Sequence, residues 1–238
     1  GVMSGAGGLA KSGAGVLTLS GNNSYAGATN INAGTLRING DQSAATGLVT
    51  VASGATLGGA GTIGGSVNVL NGGILAPGNS PGTLNINGDL SLAGGSILNF
   101  EFGQADVAGG PLNDLVNVGG DLTIDGTINV NVSAGGNFGG GLYRVFNYDG
   151  VLTNNGLALG SMPPGSSVTV QTSVAGQVNL INSDGLSLSF WDGAVGPKFD
   201  NVVGGGNGSW HLGGADNNWT GADGSINAAY ADGTFAIF

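Results

Sequence analysis

The sequence predicts an all-β chain wound as a β-solenoid, and three observations predict it. Short apolar/polar alternations such as Val67/Val69, Leu84/Ile86 and Leu90/Leu92 have the period of a strand with one buried face. Clusters of Gly, Asn and Pro separate them, as tight turns require. The pattern also matches itself at an offset of about 20 residues, the length of one solenoid coil. Composition agrees. Gly supplies 52 of 238 residues, lacks the every-third spacing of collagen and is interleaved with Val, Leu and Ile. Only 8% of residues are charged. Exposed helix faces need many charges, whereas a chain that pairs its backbone in sheets can present Asn, Ser and Thr instead.

Residues 1–15, rich in Gly and Ala, read as a frayed or partly paired beginning. Val16-Leu-Thr-Leu-Ser-Gly21 is the first clear strand, and Leu17/Leu19/Gly21 match Leu36/Ile38/Gly40 nineteen residues later. The corner can then be followed through Gly34, Gly54, Gly72, Gly94 and Gly126, each between two apolar strand ends. A corner needs a residue free to take φ > 0, which Gly meets without steric cost. The spacing jumps to 32 between Gly94 and Gly126, and a second self-match spans the jump: Leu84-Asn-Ile-Asn-Gly-Asp-Leu-Ser-Leu92 against Val116-Asn-Val-Gly-Gly-Asp-Leu-Thr-Ile124. The excess, residues 103–113, reads as an ejected surface loop. Residues 157–190 continue with strands at meander-like spacing. All three Trp (Trp191, Trp210, Trp219) follow, which places a boundary between 1–190, the solenoid, and 191–238, a further strand repeat or end segment.

The predicted inward ladder is Leu17, Leu19, Leu36, Ile38, Val49, Val51, Val67, Val69, Leu84, Ile86, Leu90 and Leu92. Thr18, Arg37, Thr50, Asn68, Asn85 and Ser91 face out, and Asn-rich corners stack between coils. The competing fold is an antiparallel β-sandwich, since four Asn-Gly pairs suit type I′ hairpin turns. A sandwich predicts no fixed 20-residue offset, which favours the solenoid.

Net charge is −10, and the four basic residues (Lys11, Arg37, Arg144, Lys198) are scattered, which argues against nucleic acid and against anionic lipid. There are no cysteines, which excludes disulfides, thiolate metal sites and thiol nucleophiles. No apolar run approaches the ~20 residues of a membrane helix, so no membrane insertion is expected. Both ends read as cut from a longer chain, with any targeting segment outside it.

Gly15-Val-Leu-Thr-Leu-Ser-Gly-Asn-Asn-Ser-Tyr-Ala-Gly-Ala-Thr-Asn-Ile-Asn-Ala-Gly-Thr-Leu36 resembles the passenger-associated strand repeat of bacterial autotransporters. Gly73-Ile-Leu-Ala-Pro-Gly-Asn-Ser-Pro-Gly-Thr-Leu-Asn-Ile-Asn-Gly-Asp-Leu90 is similar to the stretch such passengers carry toward the end of a β-helix. Asn113–Leu122, Tyr143-Arg-Val-Phe146 and the tail from Gly208 follow the same family's order. The resemblance implies a right-handed parallel β-helix at the surface of a Gram-negative bacterium or secreted from it. Such passengers act as adhesins for host cells or extracellular matrix, as self-association (biofilm) factors, or as stalks for an enzymatic domain. The partners implied are a host cell-surface or matrix protein, a glycan, or another copy of the chain.

The residues predict no catalytic, cofactor-binding or metal-ligating site. His211 stands alone, without a Gly-x-Ser-x-Gly elbow. A carbohydrate-active β-helix would need paired carboxylates, and Asp89, Asp121 and Glu101 are the candidates, with Asp106 and Asp114 beside the 103–113 loop. Gly88-Asp89 and Gly120-Asp121 read first as corners, because the acid is a turn signal in both copies. Gly58-Gly-Ala-Gly-Thr-Ile-Gly-Gly65 lacks the Lys and the helix of a phosphate loop. Trp191, Trp210, Trp219, Tyr230 and Tyr25 are aromatic candidates for binding, read as packing a coil end or a join between repeat blocks. Adhesive contacts are expected on a strand face and on the loops 22–27, 103–113 and 133–141.

Overall fold

The computed structural model describes residues 1–184, 187–193, 196–210, 216–231 and 234–238, and all regular structure in them is β-strand. The chain winds around three faces in turn. The first face stacks Leu9–Lys11, Thr29–Ile31, Val49–Val51, Val67–Val69, Leu90–Leu92, Leu122–Ile124 and Leu152–Asn154. The second stacks Val16–Leu19, Gly34–Ile38, Ala55–Gly59, Ile74–Pro77, Ile97–Phe102, Thr127–Val132 and Ala158–Leu159. The third begins with Asp41–Gln42, Thr62–Ile63, Thr83–Ile86, Leu115–Val118 and Gly141–Tyr148. Neighbours on the first two faces pair in parallel, as they do on the third up to Gly141–Tyr148. This is a parallel β-helix.

The register gives the coil lengths. Thr29 pairs with Val49, Val49 with Val67, Val67 with Leu90 and Leu90 with Leu122. Early coils therefore hold near the predicted period, and the 32-residue step is one enlarged coil rather than a break in the repeat. Within each coil the side-chain period of two turns alternate residues inward. Every residue of the predicted ladder is buried except Leu17, which is partly exposed and packs against the core. Full burial of each such side chain stabilises by about 1.5–3 kcal/mol, and stacking joins these contributions into one apolar column. Where the coils enlarge, aromatic side chains fill the wider section. Phe100, Phe102, Phe138, Tyr143 and Phe146 are buried, with ring centroids 5.8 Å apart for Phe100–Phe146 and 4.3 Å for Phe138–Tyr143.

The beginning of the chain is partly paired, as expected: Ser4–Gly5 lies beside Ser24–Tyr25 and Leu9–Lys11 beside Thr29–Ile31. Residues 103–113 form the expected surface loop, without strand and mostly exposed or half-exposed; Gly103, Gly109 and Asn113 are buried where it returns to the enlarged coil. Of the five corner glycines, Gly34, Gly54, Gly72 and Gly126 have φ between 68° and 85°, whereas Gly94 does not take positive φ.

Parallel stacking stops on the third face at Gly141–Tyr148, which pairs antiparallel with Gln177–Asn182, itself antiparallel to Val168–Gln171. A β-bulge falls between Arg144 and Phe146. Leu188–Trp191 then opens a four-stranded sheet with Trp219–Thr220, Asn227–Ala228 and Phe235–Ile237.

Candidate functional site

The second face carries a polar groove of about 220 Å³ beside the corner that leads to the third face. Its floor is small: Gly58 and Ala76 stand side by side in register, next to Arg37. The 78–82 loop borders it, and Glu101, Asn99 and Asn131 line the other end. Ser80 Oγ donates to Glu101 Oε2 at 2.6 Å, joining loop to strand.

Asp114 holds this corner together from beneath. Its Oδ1 accepts the Gly82 N–H at 2.7 Å and its Oδ2 the Glu101 N–H at 2.8 Å, while its own N–H donates to Glu101 O at 2.8 Å. Burial pushes the Asp114 carboxyl up to about 7, despite the two N–H bonds that favour its charged form; the nearby Glu101 charge adds to the rise. Glu101 and Asp114 are thus the two sequence candidates that the fold brings to one groove.

The other acids do different work. Asp89 and Asp121 do stack, on consecutive coils, but each carboxylate accepts a backbone N–H of the next coil: Asp121 N–H to Asp89 Oδ1, and Val151 N–H to Asp121 Oδ1, both at 2.8 Å. Asp106 Oδ1 accepts the Leu142 N–H at 3.0 Å. His211 lies outside the described residues. Among the described residues no three His, Cys, Asp or Glu side chains group as a metal site would need.

Two functional features escaped sequence reasoning. Asn113 organises the 103–113 segment, accepting from Gly103 N and Gln104 N and donating to Gln104 O and Val107 O. The signal was available only as its place two residues before a strand. Amide stacking also occurs within strands rather than at corners alone: Asn117 donates to Asn85 and Asn147 to Asn117, at 2.8 and 2.9 Å, and Asn129 donates to Asn99 at 2.9 Å. The self-match that aligned Asn85 with Asn117 contained that ladder.

Residues 9–38 match the passenger-associated-transport-repeat family. Over 245 aligned residues the chain is 57% identical to the adhesin BmaC autotransporter of Brucella suis biovar 1 (strain 1330), an alignment covering 99% of this chain. The chain is an autotransporter passenger segment. It is also 41% identical over 99 residues, 42% of its length, to an extracellular serine protease of Serratia marcescens. The chain spans 7% of the adhesin and 9% of the protease. As a passenger segment it is exported, to the cell surface or beyond.

The aromatic candidates of the passenger segment form one cluster at its C-terminal sheet. Trp219 meets Trp191, Trp210 and Tyr230 edge-on at 5.2, 5.8 and 5.0 Å between centroids. Trp191 and Trp219 are buried, while Trp210 is 47% exposed. Tyr25 is no surface candidate: it is buried, its hydroxyl 2.6 Å from Thr29 Oγ1.

Proposed function

We propose that this passenger segment is adhesive, contributing attachment surface to a longer surface protein rather than turning over a substrate. The observation that carries the reading is the 57% identity, along essentially the whole chain, to a protein named an adhesin. The geometry supports it. Asp89, Asp121 and Asp106 spend their carboxylates on backbone N–H groups. The polar groove offers a cation, a carboxylate and two amides on a stiff strand surface. Its partner is a host cell-surface or matrix protein or glycan, engaged through several weak contacts whose avidity grows with the number of copies displayed.

Beads coated with the chain should bind host cells or matrix, and Arg37→Ala with Asn131→Ala should reduce that binding without unfolding the β-helix. Beads that bind no better than uncoated ones would leave the segment a stalk. A second reading, a carbohydrate-active segment, is favoured by the placing of Glu101 and Asp114 at one groove. Release of reducing ends or unsaturated products from a polysaccharide panel, lost on Glu101→Gln, would replace adhesion with that reading.

A further inference from the structure

A cavity of about 520 Å³ lies between the end of the β-helix and the C-terminal sheet. That is the size of a small-molecule site. Leu142 comes to it from the last parallel strand, and Phe190, Trp191 and Ile237 from the C-terminal sheet, giving apolar walls on two sides. Arg144, Gln171, Gln177 and Asp106 supply its polar part.

Arg144 and Gln171 have donor capacity to spare. Arg144 Nε donates to Asn179 Oδ1 at 2.6 Å and Nη1 to Asn147 Oδ1 at 2.5 Å, two acceptors for a guanidinium with five N–H groups. Among the described residues the one ion pair within 4.0 Å is Lys198–Asp192, so no described carboxylate lies within ion-pair distance of Arg144. Gln171 is 1% exposed; its Oε1 accepts from Asn179 at 3.0 Å, and its Nε2 has no partner. A half-buried cation with N–H groups to spare beside a cavity calls for an acceptor that carries negative charge. The walls call for an apolar body attached to it. Asp106 also borders the cavity, with one oxygen held by the Leu142 N–H, and its charge disfavours ligands with more than one negative group.

We propose that this cavity binds a monocarboxylate with an aliphatic or aromatic body. The carboxylate meets the Arg144 guanidinium, and the body lies against Leu142, Phe190, Trp191 and Ile237. The site is separate from the polar groove, so it stands whether or not the segment is adhesive.

Trp191 in the wall provides the readout. Titration with 11-bromoundecanoate should quench tryptophan fluorescence saturably, through bromine contact with Trp191, and Trp191→Phe should remove the quenched component. The alcohol of equal length should bind at least tenfold more weakly, because it brings no charge to Arg144. Arg144→Gln should erase that preference. Since Arg144 also bonds two asparagines, Leu142→Trp provides a second variant that fills the cavity and leaves the guanidinium in place; it should abolish quenching. Absence of saturable quenching would overturn the proposal, and so would equal quenching by acid and alcohol.

Discussion

Oδ1 of Asp89 accepts the backbone N–H of Asp121 at 2.8 Å, thirty-two residues later in the chain and one coil further along the β-helix. Asp121 repeats the bond to Val151. The two acids that the sequence aligns are thus a vertical clamp between corners, each tying its own coil to the next. Asp89→Ala and Asp121→Ala should each destabilise by about 0.5–1.5 kcal/mol. The Asn variants keep a carbonyl acceptor and should lose less, as urea denaturation would measure.

Asp114 makes stability depend on pH in a direction opposite to that of an ordinary paired carboxylate. Its folded value of about 7 lies above the usual carboxylate range. Between pH ~4 and ~7 the folded protein therefore binds more protons at this site than the unfolded chain. The sign follows: the contribution is fully present below pH ~4 and is lost as pH rises through ~7. The stability difference between the native chain and Asp114→Asn should change across that window by up to roughly 1.4 kcal/mol per pH unit. A difference flat from pH 4 to 8 would contradict the raised value. The NH₂ introduced by Asp114→Asn would face one of the two N–H donors at every pH, so the variant should gain on the native chain as pH rises from ~4 to ~7.

The corner glycines should separate in a substitution series. Gly34 has φ 68°, and a Cβ there would lie 2.5 Å from Gly15 O of the preceding coil. Gly34→Ala should therefore cost more than the ~1 kcal/mol of a helix-interior glycine effect in reverse, because backbone strain and a backbone clash add. Gly94 lacks positive φ, and a Cβ there meets the Asp125 carboxylate at an ordinary 3.5 Å. Gly94→Ala should be neutral or stabilise by about 0.4–1 kcal/mol through the unfolded state. Thermal melts of the pair would check the contrast.

The enlarged coils depend on their aromatic filling. Phe102 is fully buried, stacks on Phe100 at 5.8 Å and meets Tyr143 at a tilt, 5.4 Å between centroids. Phe102→Ala should cost about 3–5 kcal/mol. Because Phe138 and the 133–141 segment rest on the same ring, amide exchange should rise there before it rises in the first coils.

Much of the β-helix is legible in single residues. Leu36, Ile38, Val67 and Val69 declare a buried face by alternation alone, because strand geometry turns every second side chain the same way. The corner at Gly34 is legible for the same kind of reason, since few other residues tolerate its backbone. The path of residues 103–113 is not legible. Their Gly-rich, weakly apolar composition reads as a surface loop, and what folds them back is Asn113 bonding residues up to ten positions away. Glu101 and Asp114 likewise stand 13 residues apart with nothing between them to announce a shared corner.

The sequence by itself determined that the chain is β, that it repeats, and which side chains form the apolar column, because period, corner chemistry and composition are local properties. Only the tertiary structure decided which acids clamp coils and which meet at a groove. It also decided how the enlarged coils are filled, and that Arg144 and Gln171 end beside a cavity with Trp191. Those outcomes depend on coil length and on an antiparallel turn-back at the end of the stack. Both bring together residues far apart in the chain, from the 13 positions between Glu101 and Asp114 to the 47 between Arg144 and Trp191, beyond what any local pattern records.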